Sequence, residues 1–426
     1  LEWQIALLVG TLTPGMAMLI IRDAYFARDD ETPQEAKHGS LLSPITLTLA
    51  SLIVGLIWLN TGMLGVKPAQ VRILTGNVGG SFGMKGSPYP EYAGLFHASK
   101  LLGRPVKWTD ERSESFLSDH HGRDHQRVAE LALDKNGKFL AVRLSGTGNA
   151  GAYIYPPMPA TTNAVKNIID VYATPAMEVN SKVVFTNTTP LAAYRGAGRP
   201  EGNYYMERLI DTAAREMGID RAELRRRNHI APQQMPYKNQ MGQTYDTGHF
   251  EAIMDQGLKL AHWDSFEARA KDSAQRGLWR GLGVATFLEW TGGNALEENV
   301  NVRIMDDGVI EVFTAVNGMG QGIATSYAQL AVDVFGVPID RIRILQGDTD
   351  RANGFGSAGS RSLFTGGGAI QVASERTIAH AKSLASEALE AAQSDIEYRE
   401  GAFRVAGTDL QIGLFELAGR QSDERI

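Results

Sequence analysis

The sequence predicts an α+β protein with two mixed α/β lobes, preceded by an apolar helical hairpin. Residues 3–21 and 41–66 carry no charge, and each run is longer than an ordinary helix of a globular core. From residue 67 onwards, short strand-like runs alternate with segments of helical periodicity. A polar stretch at residues 265–277 resembles a solvated connection between the two lobes. The predicted domains are therefore residues 1–66, 67–275 and 276–426.

The composition excludes several classes of function. The 426 residues include 42 Lys and Arg against 48 Asp and Glu, for a formal net charge of −6. No positive excess is available to bind the phosphates of a nucleic acid, so we expect no nucleic-acid partner. The absence of cysteine excludes a disulfide framework, a thiol nucleophile and a Cys-ligated zinc or iron–sulfur site.

The two uncharged runs at the N-terminus predict a transmembrane hairpin. Both are long enough to cross a bilayer as helices, and neither has a polar face. The intervening residues 22–40 are polar and mostly acidic. We therefore expect membrane contact through residues 1–66. The alternative is a pair of buried helices in a soluble domain.

The first lobe contains residues that typically begin or end helices, and one hairpin turn. Gly103 and Gly218 each follow a periodic helical segment, as helix-ending glycines do. Residues 134–137, Asp-Lys-Asn-Gly, are a hairpin turn between two alternating segments. Asp220 followed by Glu223 is a helix-capping pair. The predicted elements are a strand at 71–74, a helix at 91–102, strands at 127–133 and 138–144, a helix at 200–217 and a short helix after Asp220.

The second lobe begins with another hairpin. Asp306-Asp-Gly308 separates two short apolar runs and favours a tight turn. The segments after it alternate between helical and strand periodicity. The predicted elements are strands at 300–305 and 309–313, a helix at 323–335, a strand at 341–345 and a long helix at 368–392.

Four glycine-rich clusters are the candidate functional elements. We call them the first (residues 79–85), second (194–199), third (318–322) and fourth (359–368) glycine loops. Glycine lets the backbone approach a ligand closely, and free N–H groups at a helix N-terminus bind anions. Three of the loops lead directly into predicted helices, so they could converge on one large phosphorylated ligand. Possible side-chain donors are Arg195, Arg199, Arg361 and Gln321.

Two alternatives to a shared ligand site stay open at this point. Each loop could be a simple tight turn or a helix cap. Residues 79–83, Gly-Gly-Ser-Phe-Gly, also match the Gly-x-Ser-x-Gly nucleophile elbow, so a serine hydrolase built on Ser81 is a minor alternative. The first loop lacks the Gly-Lys-Ser/Thr ending of a P-loop, and the third lacks the spacing of a dinucleotide fingerprint.

Five segments, taken in order, resemble the molybdenum hydroxylases, the family of xanthine dehydrogenase, aldehyde oxidase and aerobic carbon monoxide dehydrogenase. The resemblance is to the molybdopterin-binding large subunit and extends from Pro68 to the C-terminus. The segments are Gly-Gly-Ser-Phe-Gly-Met-Lys at 79–85, Ala-Tyr-Arg-Gly-Ala-Gly-Arg-Pro-Glu at 193–201, Met-Gly-Gln-Gly at 319–322, Gln-Gly-Asp-Thr at 346–349 and Gly-Ser-Arg-Ser at 359–362.

The resemblance implies two lobes of the molybdopterin-binding type and a specific chemistry. Molybdenum is held by the pterin dithiolene, as Mo-molybdopterin cytosine dinucleotide, so no protein metal ligand is expected. The implied reaction hydroxylates an N-heterocycle or an aldehyde with water as the oxygen source. Electrons would leave through a small 2Fe–2S subunit and a medium FAD subunit, in a dimer of heterotrimers.

Family positions can be carried over to individual residues of this chain. Arg123 matches the arginine that approaches the substrate. The positions matching cofactor-binding residues are Gly80, Phe82, Gly83, Arg195, Gly320, Gln321, Gly322, Ser360 and Ser362.

Three residues depart from the pattern of particular family members. Gly86 stands where xanthine-oxidising members carry a Glu, and Ala197 stands where they carry a stacking Phe, so xanthine is not expected as the substrate. Gly196 stands where carbon monoxide dehydrogenases carry a copper-binding Cys, which counts against carbon monoxide oxidation.

The family's general-base Glu lies in a Gly-Glu-x-Gly segment, and none follows Arg361. We expect that segment beyond Ile426, which predicts a partial subunit that is inactive alone. The alternative is a non-catalytic, membrane-anchored fragment or accessory protein that retains the fold. The expected location is the cytoplasm, with a tether to the inner membrane through the hairpin.

Overall fold

The computed structural model describes the backbone of residues 5–10 and 16–21, and all atoms of residues 62, 64–85, 89–153, 164–289, 296–352 and 354–421. These residues form two compact units. The first unit contains the described residues up to Ser118 and those from residue 296 onwards. The second contains the described residues between Asp119 and Glu289. Each unit mixes helices and strands, as the sequence predicts.

The N-terminal part of the first unit is a four-stranded sheet. Its strands are β1 (Ile5–Gly10), β2 (Met16–Ile21), β3 (Val71–Thr75) and β4 (Lys107–Thr109). Their order is β3-β2-β1-β4, with β1 and β4 parallel and the other pairs antiparallel. The sheet therefore brings β3, which leads into the first glycine loop, beside the N-terminal strands.

The prediction of a membrane-crossing helix over residues 3–21 is wrong, because this run contains β1 and β2. An apolar run without alternation fits a buried strand as well as a helix, and Pro14-Gly15 is a turn dipeptide that interrupts a helix. The second predicted span, residues 41–66, lies outside the described residues apart from positions 62 and 64–66. Among the helices that are described, none is long and apolar enough to cross a bilayer. The helical hairpin and its membrane tether thus have no support.

Two helices complete this part of the first unit, α1 (Pro90–Leu102) and α2 (Arg112–Ser118). α1 has proline in its first turn, where the missing N–H costs nothing. It ends at Gly103, which has the left-handed φ of 58° that glycine adopts readily. The predicted start and stop of this helix are confirmed to within one residue.

The second unit is built on a three-stranded sheet of β5 (His125–Leu133), β6 (Phe139–Gly151) and β7 (Ala176–Phe185). β5 and β6 form the predicted antiparallel hairpin, while β7 runs parallel to β6. The Asp134 carboxylate accepts hydrogen bonds from the backbone N–H groups of Asn136 and Lys138, each at 2.8 Å. This side chain therefore stabilises the turn that the sequence predicts.

The helix α3 (Arg199–Met217) packs against this sheet. Its buried face includes Met206, Ile210 and Ala214. The remaining elements of the unit are α4 (Arg221–Asn228), β8 (Tyr237–Lys238), β9 (Thr244–Tyr245), α5 (Phe250–Leu260) and α6 (Phe266–Gln275). Residues 265–277, interpreted as a connection between the lobes, lie inside the second unit, and most of the segment is α6. Its polarity reflects a largely exposed helix, in which Ser273 is buried.

The C-terminal part of the first unit contains a second sheet, formed by β10 (Val300–Ile304), β11 (Ile310–Thr314) and β12 (Ile342–Gln346). β10 and β11 form an antiparallel hairpin, and α7 (Ile323–Phe335) connects β11 to the parallel strand β12. A π-helical turn at Ser362–Gly367 then leads into α8 (Gly368–Ala388). Parallel strands need a crossover of this kind, so the third glycine loop lies between β11 and its crossover helix.

A small sheet closes the unit: β13 (Ile396–Arg399), β14 (Ala402–Val405) and β15 (Gln411–Gly413), followed by α9 (Leu414–Arg420). These short elements were not among those predicted from the sequence. Their buried side chains, such as Phe403 and Leu417, join the same core as Val312, Tyr327 and Ile370. Val316 and Ile323, on either side of the third glycine loop, belong to that core.

Candidate cofactor site

The first glycine loop follows β3 and has an unusual backbone. Gly79, Gly80 and Gly83 have φ values of 68°, 93° and 107°, and Phe82 has a φ of 54° although it is not glycine. A left-handed conformation at a bulky residue is strained, and such residues are enriched at active sites, ligand sites and switch regions. The Phe82 side chain is 53% exposed. Lys85 turns back on its own loop, because its ammonium donates to the Val78 carbonyl at 2.6 Å.

The third glycine loop ends at Gly322, the residue before α7, and Gln321 closes it. The side-chain oxygen of Gln321 accepts from the Met319 N–H at 2.6 Å, and its amide nitrogen donates to the Asn317 carbonyl at 3.3 Å. Gly320 and Gly322 have φ values of 110° and 75°. Gln321 therefore shapes the backbone of the loop that was predicted to bind the cofactor.

The first and third loops lie against each other. A Cβ added to Gly320 would lie 3.8 Å from the backbone nitrogen of Gly80. Residues 346–349 contact both the third loop and the end of the strand that precedes the first loop. The Gln346 side-chain oxygen accepts from the Gly318 N–H at 3.1 Å. The Gly347 carbonyl accepts from the Thr75 N–H, at the end of β3, at 2.7 Å. The structure thus brings together Gly80 and Gly320, two of the predicted cofactor-binding residues.

An ion pair strengthens this connection. Arg72 of β3 donates to both carboxylate oxygens of Asp348, at 2.9 and 2.7 Å. Burial alone would raise the pKa of Asp348, but the Arg72 hydrogen bonds and charge outweigh it and lower that pKa. The same segment lines a cleft of about 330 Å³, whose other lining residues include Thr75, Gly76 and Arg351.

The fourth glycine loop is linked to the third through side-chain hydroxyl groups. Ser357 donates to the Asn317 carbonyl at 3.0 Å, and Ser362 donates to the Ser357 hydroxyl at 3.1 Å. Ser360 is exposed and has a left-handed φ of 61°. Arg361, predicted as a possible side-chain donor to the ligand, is instead fully buried and paired with Glu298. Three glycine loops of the first unit are therefore connected to one another.

The second glycine loop, in the second unit, has three consecutive residues with left-handed backbone. The φ values are 89° at Gly196, 45° at Ala197 and 99° at Gly198. Arg123 donates to the Arg195 carbonyl, and its Nε lies 3.5 Å from the Glu201 carboxylate. The predicted substrate residue and the predicted cofactor residue of this unit are therefore adjacent.

Two arginines of the second unit, Arg123 and Arg199, each lie beside a carboxylate. Burial raises the pKa of Glu201, although the nearby charge of Arg123 lowers it in part. Arg199, predicted as an anion donor, makes an ion pair with Glu289, with Nε 2.6 Å from the carboxylate. Because Glu201 lies in the first turn of α3, a carboxylate already occupies the position where a helix N-terminus attracts an anion.

Two orphaned oxygen atoms test whether a polar ligand fits the first unit. Several buried polar atoms of the described residues have no hydrogen-bond partner, and two of them, the Asn317 side-chain oxygen and the Thr365 hydroxyl, lie at the glycine loops. A buried polar atom without a partner costs about 1–3 kcal/mol, so native proteins seldom leave one unsatisfied. Both residues lie in or beside the third and fourth glycine loops, so the loops fit a polar group that completes them.

The serine hydrolase alternative does not fit this geometry. A nucleophile elbow exposes its serine at a turn between a strand and a helix. Ser81 is only 9% exposed, and the next described helix, α1, begins at Pro90. Three residues of this site were not recognisable from the sequence: Asn317 and Ser357, which link the third and fourth loops, and Glu298, which pairs with Arg361. They lie outside the glycine clusters, and a single carboxylate, amide or hydroxyl gave no signal of this role.

Comparison with known proteins identifies the family. A model of the molybdopterin cofactor-binding domain matches residues 58–229, and a second model of the same description matches residues 256–425. The chain is 34% identical over 363 residues to the 6-hydroxypseudooxynicotine dehydrogenase complex subunit gamma of Paenarthrobacter nicotinovorans, covering 84% of this chain and 46% of that protein. It is 32% identical over 365 residues to the carbon monoxide dehydrogenase large chain of Hydrogenophaga pseudoflava, covering 81% and 45%.

The fold agrees with these matches. The crystal structure of quinoline 2-oxidoreductase from Pseudomonas putida 86 superimposes with a TM-score of 0.78 at 31% identity, covering 88% of this chain and 50% of that chain. The chain spans about half the length of the curated relatives it matches. It therefore belongs to the molybdenum hydroxylase family and carries the two molybdopterin cofactor-binding domains of that family's large subunit.

Proposed function

We propose that the chain binds Mo-molybdopterin through its glycine loops. The connection of three loops within the first unit, beside two orphaned buried oxygen atoms, is the observation that carries this proposal. When bound, the cofactor supplies the redox chemistry that hydroxylates an electron-poor carbon with oxygen from water. The proposed binding residues of the first unit are Gly80, Phe82, Gly83, Gly320, Gln321, Gly322, Ser360 and Ser362. Arg195, in the second unit, is proposed separately as a cofactor-binding residue, on the family resemblance of its segment.

The chain's own residues would bind and orient the cofactor and the substrate. Backbone N–H groups of glycine loops can approach polar ligand atoms without side-chain interference. Gln321 holds the third loop in shape through its bonds to Met319 and Asn317. We propose that Arg123, fixed by Glu201 and the Arg195 carbonyl, orients the substrate.

We propose an N-heterocycle or an aldehyde as the substrate, and favour the heterocycle. The relative named for 6-hydroxypseudooxynicotine and the structure named for quinoline support this choice. Gly196 has no side chain with which to hold copper, and a Cβ added there would lie 2.6 Å from Pro200. The lack of a copper-binding side chain at Gly196 counts against carbon monoxide oxidation.

Electrons would leave to a small 2Fe–2S subunit and a medium FAD subunit, since the chain contains no cysteine for a cluster. The proposed assembly is a dimer of heterotrimers, and the proposed cofactor form is the cytosine dinucleotide. Relatives named as a subunit gamma and as a large chain of complexes support the existence of partner subunits.

The test is the cofactor content of the purified chain, co-expressed with its small and medium partners in a host that makes molybdopterin. We expect molybdenum and pterin close to one per chain, and release of cytidine monophosphate on acid hydrolysis. Release of pterin without a nucleotide would contradict the dinucleotide form alone. A well-folded complex without pterin would contradict the proposed function.

A further inference from the structure

The fourth glycine loop is held from inside the protein by one buried ion pair. The side chains of Arg361 and Glu298 are 0% and 1% exposed, and Arg361 Nη1 donates to Glu298 Oε1. The same Glu298 oxygen accepts from the Gly356 N–H at 2.7 Å, and Arg361 Nη1 also donates to the Gly356 carbonyl at 2.8 Å. The pair therefore binds both the backbone N–H and the carbonyl group of Gly356.

The remaining contacts of the pair fix the segment that precedes β10. Arg361 Nη2 donates to the Leu296 carbonyl, and Glu298 forms a β-bridge with Gly354. A Cβ added to Gly354 would lie 2.2 Å from Glu298 Oε2, so the carboxylate packs closely against this glycine. The Phe355 ring centroid lies 5.0 Å from the Arg361 guanidinium carbon. Arg361 thus directs its hydrogen bonds into the protein and cannot reach a ligand outside it.

The pair acts on the predicted binding residues through the backbone between them. Ser357 and Ser362 flank the Ser360 position, and their hydroxyl groups are linked to each other and to the Asn317 carbonyl. Ser360 has a left-handed φ of 61°, a conformation that a serine keeps only when its surroundings impose it. Arg361 is the residue that follows Ser360, so the buried pair fixes the backbone next to this strained turn.

We infer that Glu298 and Arg361 are positioning residues that hold residues 354–362 in the shape that binds the cofactor, without touching it. This inference rests on the proposed function. Buried ion pairs contribute little to stability compared with well-packed apolar residues, and in some proteins they contribute specificity of conformation. The pair would therefore matter more for the loop than for the fold.

The test replaces both charges at once, in Glu298→Leu with Arg361→Met, in the full chain co-expressed with its partners. We expect a melting temperature within about 5 °C of the wild type, because an apolar pair of similar volume can replace a buried ion pair. We also expect amide hydrogen exchange over residues 354–362 to accelerate at least tenfold, and the pterin content to fall at least tenfold. The matched control is Glu311→Leu with Arg343→Met, which replaces a partly exposed pair between β11 and β12. This control should change neither the hydrogen exchange over residues 354–362 nor the pterin content.

Wild-type exchange and wild-type pterin content in the apolar variant would overturn the inference, because the pair would then be structural only. If the apolar variant does not fold, Arg361→Lys decides, since lysine keeps the charge but cannot reach both carbonyl groups. Unchanged exchange over 354–362 in Arg361→Lys would also overturn the inference. If the wild type binds no pterin, the proposed function fails, and the exchange rates alone decide whether the pair positions the loop.

Discussion

Gly347 follows β12 and lines the cleft beside Thr75, the last residue of β3. It leaves no room for a side chain. Its φ is 71°, and an added Cβ would lie 1.9 Å from the Thr75 carbonyl oxygen. Because that neighbour is backbone, it cannot move aside without disturbing the sheet. We expect Gly347→Ala to lower the free energy of unfolding by about 3 kcal/mol or more, measured by urea denaturation.

Gly407 is the matched control for this substitution. Its φ is 75°, yet an added Cβ would have no neighbour within 4 Å. Gly407→Ala should therefore cost only the backbone strain, about 1–2 kcal/mol. Equal losses in the two variants would contradict the steric explanation at Gly347.

Asp170 makes the stability of the second unit depend on pH. Burial raises its pKa from 3.8 to about 7, and the charges of Glu207 and Glu289 add to this effect. The folded protein therefore binds a proton that the unfolded chain releases between these pH values. Asp170 contributes stability at low pH that is lost as the pH rises from about 4 to about 7.

Asp170→Asn removes this titration while keeping an oxygen that can accept from the Leu288 N–H. Relative to the wild type, the variant should gain stability as the pH rises from about 4 to about 7, and the difference should then stay constant. Urea denaturation at pH 4.5, 6, 7.5 and 8.5 measures it, with the exposed Asp246→Asn as the control. A difference that does not vary with pH would refute the assignment to Asp170.

At the scale of elements, the sequence predicts best those helices that carry their own termini. The helix at Arg199–Met217 starts within one residue of its predicted position, and Gly218 ends it with a φ of 67°. Capping depends on one or two local residues, so it can be detected without tertiary information. α7 matches its predicted range of 323–335 for the same reason, because Gly322 and Gly336 bound it.

The sequence fails where long-range pairing decides. Apolar residues 5–10 and 16–21 are compatible with a helix, but they are strands that pair with each other and with β3 and β4. The glycine loops were recognisable from composition, but the contacts from Asn317 to Ser357 and from Arg361 to Glu298 join residues 40 and 63 positions apart. Periodicity reports nothing at such separations, so Arg361 was interpreted as a ligand donor.

The cap of α4 offers a test at this scale. The Asp220 carboxylate accepts from the N–H groups of Ala222 and Glu223, at 2.8 and 2.9 Å. Asp220→Ala should lower the free energy of unfolding by about 1 kcal/mol, because two N–H groups of the first turn lose their partner. Asp220→Ser should recover most of the loss, since serine is also a good helix cap. No recovery would indicate that the charge of Asp220, not its hydrogen bonds, stabilises α4.

At the scale of the whole molecule, the two units differ in how the chain builds them. The first unit combines residues before Ser118 with residues after 296, whereas the second is one continuous segment. The second unit also has its own core, which includes Leu144, Tyr172 and Ile210. A continuous chain with its own core is the usual requirement for independent folding.

The end of that segment lies beyond the predicted domain boundary after residue 275. The Thr286 hydroxyl contacts Tyr172 and His229, at 2.6 and 2.9 Å, and its N–H donates to Glu207 at 3.3 Å. The carbonyl of Leu282 accepts from Arg221 at 3.0 Å. The extended residues 281–289 therefore pack on the second unit through buried polar groups, and removing them would leave Tyr172 and Glu207 with fewer partners.

We accordingly expect a fragment of residues 119–289 to fold by itself and to unfold cooperatively in urea. A fragment of residues 119–275 should be less stable by about 2–4 kcal/mol, because it exposes apolar surface and loses three or more hydrogen bonds to buried groups. Thr286→Val in the longer fragment should reproduce part of this loss, which separates the polar contacts from the apolar ones. Equal stability of the two fragments would favour the boundary after residue 275 and would show that residues 276–289 contribute nothing to the second unit.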